Sequence, residues 1–566
     1  MFLYSYDALK RATRSENGIK LINEVEKAYS LLYKDKPITV TNYSYQKQIY
    51  TTGNRELWQE IYFERRKRLC YLQLLAIADD KYIDDLENVL AVILEEYTWV
   101  LPAHNVLKDH TFDYTIIDLF AAETGFYLSE TLYVFNDKLS NDIKYRIKTE
   151  LKNRIIDNYE NREQLWFNIQ NNWAAVCGAG VGITYMYAFP ERFEKVKDRL
   201  FKTFEGYLKC TREDGVTPEG VGYWIYGFGF FTCFFDLYNQ FYNEYPDILN
   251  QNKVINTVKY INDAWMGGDH YLPFSDGGYM KTCLHASVTY AAKRLFGDKF
   301  ILTKNVIDQK FVMQPETVGK SRWLRVLYGV DKFGLGDERE VVEETIYYAD
   351  SEIFIKKSPN YTFTAKSGHN LEMHNHNDVG SFQIVVGDKS VVVDAGPAEY
   401  TWQYFNDINY RYSEKAFGAG SMGHSVPIVN GKYQLEGVKY RGNVLEQTEN
   451  NFKIDIAKAY DDEINKLIVD YQMKDKGIVV SYDCDGIKES ITLRFLSFIK
   501  PEIDPDGTVN LGIKLKSSSG LTPKVKNIKF NAHVSVAKSV GAVDVYAIEY
   551  FICGKSSIKE KFEFII

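Results

Sequence analysis

A basic block, a membrane-length apolar run, a leader pattern and a paired-cysteine motif are all missing from this chain of 566 residues. No long Lys/Arg cluster occurs, and the formal net charge is −8. Nucleic acid is therefore not an expected partner, because phosphate binding needs a basic footprint. An acidic sugar polymer stays open, since a local basic cleft can sit on an acidic protein. No stretch reaches the roughly 18 apolar residues that cross a bilayer, so no membrane partner is expected. The first ten residues, MFLYSYDALK, show no basic segment followed by an apolar one. Without a leader pattern the expected location is cytoplasmic. The seven cysteines (Cys70, Cys177, Cys210, Cys233, Cys283, Cys484 and Cys553) are odd in number and never spaced Cys-x-x-Cys. That argues against a disulfide framework and against a zinc–thiolate centre; buried, reduced thiols are expected instead.

The length calls for two or three domains. With 45% hydrophobic and 25% charged residues, the balance is that of a soluble globular enzyme. Aromatics reach 15%, with 43 Tyr, 34 Phe and 8 Trp. Aromatic faces stack on the C–H faces of sugars, and they also fill large cores; for any single ring the core is the default. A homo-oligomer is neither required nor excluded.

From Leu21 to about Arg325 the apolar spacing is helical, most clearly over Leu57–Ala78. Ile83–Tyr97, Asp113–Phe135, Asn141–Asn158, Pro190–Thr211, Gly227–Glu244, Asn252–Trp265 and Leu284–Phe296 continue it. Successive helices with short breakers predict stacked αα-hairpins, and a closed toroid of helix pairs buries every inner face. The Gly- and charge-rich stretch 329–341 reads as a linker. Beyond it, β-branched and aromatic runs such as Ile353–Ile355, Phe382–Val386 and Gly477–Ser481 alternate with turns. They predict an antiparallel sandwich. The expected division is a helical domain over 1–335 and a β-sandwich over 336–566.

Three segments carry chemistry. In His374-Asn-His-Asn-Asp378, an extended backbone puts residues two apart on one face, so His374 and His376 point the same way. One histidine is more often structural; two on a face suit a metal or a proton shuttle. Asp394, at the end of an apolar run, and His424, in Ser421-Met-Gly-His-Ser-Val-Pro427, can join His376 as a two-His, one-carboxylate metal site. In Ile169-Gln-Asn-Asn-Trp-Ala-Ala-Val-Cys-Gly178, two Asn beside Trp are either helix caps or amide donors facing an anion. The third, Arg212-Glu-Asp-Gly-Val-Thr-Pro-Glu-Gly-Val-Gly-Tyr-Trp-Ile-Tyr-Gly-Phe-Gly229, is a Gly-rich turn that can present a phenol in a cleft. For Trp224 and Phe228, core packing is the better reading.

In order along the chain, Asn-Asn-Trp, Asp-Gly…Glu-Gly…Tyr…Tyr, His-x-His-x-Asp-x-Gly-Ser (His374–Ser381), Asp394-Ala-Gly396 and Gly423-His424 resemble the heparinase II/III type of polysaccharide lyase, over about residues 90–430. The resemblance implies an N-terminal (α/α) toroid, a C-terminal antiparallel β-sandwich and an active site between them. It further implies that Asn172 holds a uronate carboxylate and that Tyr226 is the catalytic tyrosine, with Tyr223 the alternative. His374 becomes the catalytic histidine, and His376, Asp394 and His424 the ligands of a structural metal, taken as zinc. Some family members carry His directly after the Asn; here that residue is Trp173, and Asn171 is the candidate for the missing contact. His104, Trp173, Glu219 and Tyr223 complete the expected substrate-binding set.

The residue types suit β-elimination on an acidic polysaccharide. The C5 proton of a uronate is weakly acidic while its carboxylate is charged. Preorganised amide and imidazole donors that stabilise the enolate-like intermediate are worth about 3–4 kcal/mol each. A Tyr or His takes the proton, and a Tyr protonates the C4 oxygen. A lyase on alginate or another uronate polymer fits the same residues. A toroid glycoside hydrolase would use paired carboxylates drawn from Asp214, Glu219 and Asp276, and a non-catalytic sugar-binding protein would need neither His374 nor Tyr226.

Overall fold

The computed structural model describes residues 2–105, 111–277, 286–300, 323–333, 340–535 and 538–566. The predicted helices form, and they close on themselves. Glu16–Leu32 packs on Glu56–Ala78, which packs on Ile83–Glu95 and so to Asn141–Leu151 and Leu119–Val134. The path continues through Asn172–Ala188, Gly229–Tyr242, Ala286–Phe296 and Trp323–Phe333, which returns to Glu16–Leu32. Leu119–Val134 and Asn172–Ala188 are buried on nearly every face rather than along a stripe, as expected of helices that line the inside of a ring. Charges trapped there are paired: Arg325 Nε donates to Glu130 Oε1 at 3.2 Å.

Local chemistry sets the ends of these helices. Asp118 caps Leu119–Val134 through the Ala121 amide, so that helix begins later than the predicted Asp113. Asn171 caps Asn172–Ala188 through the Trp173 amide at 3.0 Å. Predicted continuity fails at two places. Pro190–Thr211 divides into Pro190–Phe193 and Lys197–Leu208, and Asn141–Asn158 carries a π turn at Lys152–Ile156. The expected linker is also shorter at its start. Gly329 lies inside the helix Trp323–Phe333, where an added Cβ would come within 2.5 Å of the Ala286 carbonyl. Its glycine serves close helix packing, not a hinge. Residues 284 and 285 of the predicted helix Leu284–Phe296, and residues 334–339 of the linker stretch, lie outside the described residues.

The strands are antiparallel. One sheet orders Glu344–Tyr348, Ile353–Lys357, Thr362–Lys366, Phe382–Val386 and Lys389–Val392 side by side. An eight-stranded sheet is built around Lys466–Lys474, Gly477–Asp485 and Ser557–Ile565. A four-stranded sheet joins Lys524–Ser535, Lys538–Cys553, Ser490–Ser497 and Ile428–Val429. Ile353–Lys357 and Thr362–Lys366 are buried along their whole length. The reason is two-sided cover. Ile353, Ile355 and Val385 pack into the helical core, and Phe354, Phe363, Phe382 and Ile384 pack into the sandwich core. A small hairpin, Trp265–Gly267 with His270–Tyr271, interrupts the segment read as purely helical.

Polar latches tie the two halves. The Arg212 guanidinium meets both Glu372 oxygens at 2.6 Å. Asp214 accepts from the backbone N–H of Asp350 and Ser351 at 3.1 Å each. Among the described residues no helix is long and apolar enough to cross a membrane. Cys70, Cys177, Cys233 and Cys484 are buried free thiols, Cys210 is half-buried and Cys553 exposed. Cys283 lies outside the described residues.

Candidate active site

Two turns from the helical half meet the His374–Asp378 segment of the sheet half. Gly220 adopts φ +99, and a Cβ there would come within 2.2 Å of the Gly277 Cα. Only glycine permits this approach, and the Gly222 amide seals it by donating to the Gly277 carbonyl at 2.7 Å. Glu219 and Asp276 are thereby delivered side by side. A π turn at Trp224–Phe228 follows, flanked by Tyr223 and containing Tyr226; such turns insert an extra residue and re-aim side chains.

The His374–Asp378 segment is not extended. His374 sits in the left-handed region at φ +55, so the shared-face argument for its histidines does not apply. They converge for another reason, which is one carboxylate. His374 Nδ1 lies 2.5 Å from Asp276 Oδ2, and His376 Nε2 lies 3.0 Å from Asp276 Oδ1. The other imidazole nitrogen of His374 faces Glu219 Oε2 at 3.5 Å. Asn172 Nδ2 donates to that same oxygen at 2.5 Å, and the Asn172 amide donates to Oε1 at 3.2 Å. Amide and imidazole donors thus converge on one buried carboxylate oxygen.

The electrostatics follow from this packing. Burial lowers the His374 pKa, but the hydrogen bond to Asp276 and the charges of Asp276 and Glu219 raise it above its ordinary value. Burial raises Asp276, yet its bonds to the two imidazoles hold it well below the usual carboxylate range. Glu219 goes the other way, pushed up by burial against the opposing pull of His374 and the Asn172 hydrogen bonds.

The expected tyrosines lie in different surroundings. The Tyr223 ring packs on His374 with centroids 4.3 Å apart. Its hydroxyl is 3.1 Å from that of Tyr400, which donates to Asp276 Oδ2 at 2.6 Å. A phenol has one proton, so Tyr223 is the donor to Tyr400. Tyr226 is buried in the toroid, where its hydroxyl donates to Glu123. Burial first, then nearby carboxylates, keep both phenols well above their ordinary pKa, with Arg55 partly offsetting this at Tyr223.

Further out, His104 Nδ1 bonds Asp118 at 2.8 Å, and the His104 ring lies 4.9 Å from Trp173. Asn171 spends its side-chain oxygen on the helix cap. Of the three carboxylates weighed for a hydrolase, Asp214 belongs to the latch between the halves. Glu219 and Asp276 bracket one imidazole. Tyr400 escaped the sequence reading altogether, since it stands in an irregular loop with no periodic signal. Asp276 stands in Phe274-Ser-Asp-Gly277, a turn-like string that gave no hint of a histidine partner.

His376, Asp394 and His424 each bring one ligand atom within 4.8 Å of the others, all buried. His424 Nδ1 lies 3.0 Å from Asp394 Oδ2, while the Gly396 amide holds Asp394 Oδ1 at 2.8 Å. His376 Nδ1 and His424 Nε2 are buried without a hydrogen-bond partner. Orphaned buried nitrogens are costly. Two imidazoles and a carboxylate are a donor set that fits a divalent metal such as zinc.

No protein-family model matches the chain, and no curated protein does. Solved structures do. A crystal structure of heparinase III aligns over 98% of this chain and 93% of its own, with TM-score 0.61 and 12% identity. The Streptomyces coelicolor A3 chondroitin AC lyase aligns over 99% and 82%, with TM-score 0.56 and 11% identity. A mutant heparan sulfate lyase from Pedobacter heparinus aligns over 99% and 88%, with TM-score 0.52 and 12% identity. The chain therefore has the fold of these lyase structures, a helical toroid followed by antiparallel β-sheets.

Proposed function

We propose that the chain is a polysaccharide lyase that cleaves uronic-acid-containing glycosaminoglycans, of heparan sulfate, hyaluronan or chondroitin type, by β-elimination. The observation that carries this reading is the convergence of Asn172 Nδ2 and His374 Nε2 on a single carboxylate oxygen, that of Glu219. Donors arranged to hold one carboxylate can hold another, and a uronate presents one beside the proton to be removed. The raised pKa of His374 favours the imidazolium, which neutralises that carboxylate and acidifies the C5 proton.

Of the two tyrosines, Tyr223 has the better geometry for acid–base work, because it lies against His374 and its hydroxyl leads through Tyr400 to Asp276. A phenol held protonated is suited to protonating the C4 oxygen. As its phenolate it takes the C5 proton, and that same proton then goes to the C4 oxygen, so no second proton acceptor is needed. Tyr226, expected from the sequence, has its hydroxyl engaged by Glu123. His104 and Trp173, whose rings lie 4.9 Å apart, would contact neighbouring sugar units. A metal held by His376, Asp394 and His424 would supply a rigid anchor for the segment that carries His374, while the proton carriers remain side chains.

Incubation with a panel of uronate polymers, alginate included, tests the proposal. The expected result is rising ultraviolet absorbance from a C4–C5 unsaturated product on a glycosaminoglycan, lost in His374→Ala. Absorbance on alginate alone would move the substrate class. New reducing ends without absorbance would indicate a hydrolase and overturn the proposal.

A further inference from the structure

We infer that Asp276 is a positioning residue that sets the proton positions of both histidines in His374-Asn-His376, and so couples the proposed metal centre to the proposed acid–base group. The inference rests on the lyase reading for the reaction that His374 serves; its evidence is the hydrogen-bond geometry.

Asp276 comes from a turn of the helical half, and the histidines come from the sheet half. Each of its oxygens takes one ring: Oδ2 takes His374 Nδ1 at 2.5 Å and Oδ1 takes His376 Nε2 at 3.0 Å. The Tyr400 hydroxyl adds a third donor at 2.6 Å. An ionised carboxylate only accepts, so each ring nitrogen facing it carries the proton. For His376 that leaves Nδ1 with the lone pair. This is the nitrogen buried without a hydrogen-bond partner, on a ring clustered with Asp394 and His424. A carboxylate behind a histidine ligand orients the ring and raises its basicity. For His374 the same bond directs Nε2 toward the oxygen shared with Asn172.

Backbone strain converges on this contact. Ser275, next to Asp276, has φ +58, and His374 has φ +55. Non-glycine residues adopt this region rarely and at a cost in strain, so the surrounding structure enforces the meeting of the two turns. Asp276 is not expected to touch substrate. Its effect passes through the two imidazoles.

Ring-nitrogen NMR of selectively ¹⁵N-histidine-labelled full-length protein, loaded with zinc, reads the proton positions directly. The expected spectrum has His376 protonated on Nε2 and bare on Nδ1, and His374 protonated on Nδ1. His376 protonated on Nδ1, or a parent protein that binds no zinc, would overturn the inference without recourse to any variant. Zinc titration against a competing chelator supplies the second readout. Asp276→Asn keeps the shape but offers one acceptor, and its zinc dissociation constant should rise about 10–100-fold. Its kcat should fall while KM holds. Tyr400→Phe removes a donor to the same carboxylate and should leave zinc affinity unchanged. Equal zinc affinity in Asp276→Asn and parent would reduce Asp276 to an inter-domain contact and contradict the inference. Failure of the lyase reading looks different: no unsaturated product on any polymer, with proton positions and zinc affinities as expected here.

Discussion

The proposed metal cluster and the proposed acid–base cluster share the His374–His376 segment but are built in opposite ways. His376, Asp394 and His424 all come from the sheet half, within 49 residues of one another, and all are buried. The acid–base cluster draws Asn172, Glu219, Tyr223 and Asp276 from the helical half and His374 and Tyr400 from the sheet half. The first is a property of one domain. The second exists only when the two halves are docked, and its hydrogen bonds between them add to the latches that hold them together. Damage to one should therefore be separable from damage to the other, except at Asp276, which touches both.

His374→Ala should separate them most sharply. It should lower kcat by about 10²–10⁴-fold, the range for loss of a general acid–base group, with zinc content by elemental analysis unchanged. Loss of zinc in step with activity would mean the clusters are one. The tyrosine pair gives the next largest contrast. Tyr223→Phe should cost about 10²–10⁴-fold in kcat. Tyr226→Phe should keep activity and instead lose about 1–3 kcal/mol of stability in urea unfolding, because a buried donor to Glu123 is gone. The reverse ranking of activities would return the acid–base role to Tyr226. Chelation tests the sheet half alone. Zinc at 100 times its dissociation constant stabilises by about 2.7 kcal/mol, so removing it should lower Tm. Zinc should restore Tm in the parent but not in His424→Ala. The smallest effect is expected at the latch. Arg212→Ala breaks a partly exposed ion pair with Glu372 and should cost about 1 kcal/mol or less. A loss of about 3–5 kcal/mol, the size seen for broken buried pairs, would contradict this.

The same contrast explains what could be read in advance. The helical spacing of Leu57–Ala78 and the alternation around Phe382–Val386 are local, and both elements form where the pattern lies. The grouping of His376, Asp394 and His424 was legible because short motifs carry it, one of them a His-x-His pair. The convergence of His374 and His376 was expected for the wrong reason: extended geometry was assumed, and the backbone turns at His374 instead. Asp276 and Tyr400 act through partners 98 and 124 residues away in sequence, and no local pattern encodes such a distance. Tyr223 and Tyr226 stand three residues apart, so composition could not rank them. Their separation, one against His374 and the other against Glu123, depends on the π turn at Trp224–Phe228 and on where Glu123 lies.

The central claim is that the cleft breaks a glycosidic bond by elimination, without adding water. Cleavage of a glycosaminoglycan in water labelled with heavy oxygen, followed by mass spectrometry of the fragments, tests it most directly. The account predicts unsaturated fragments that carry no solvent oxygen at the cleaved bond. One heavy oxygen incorporated per bond broken would contradict it.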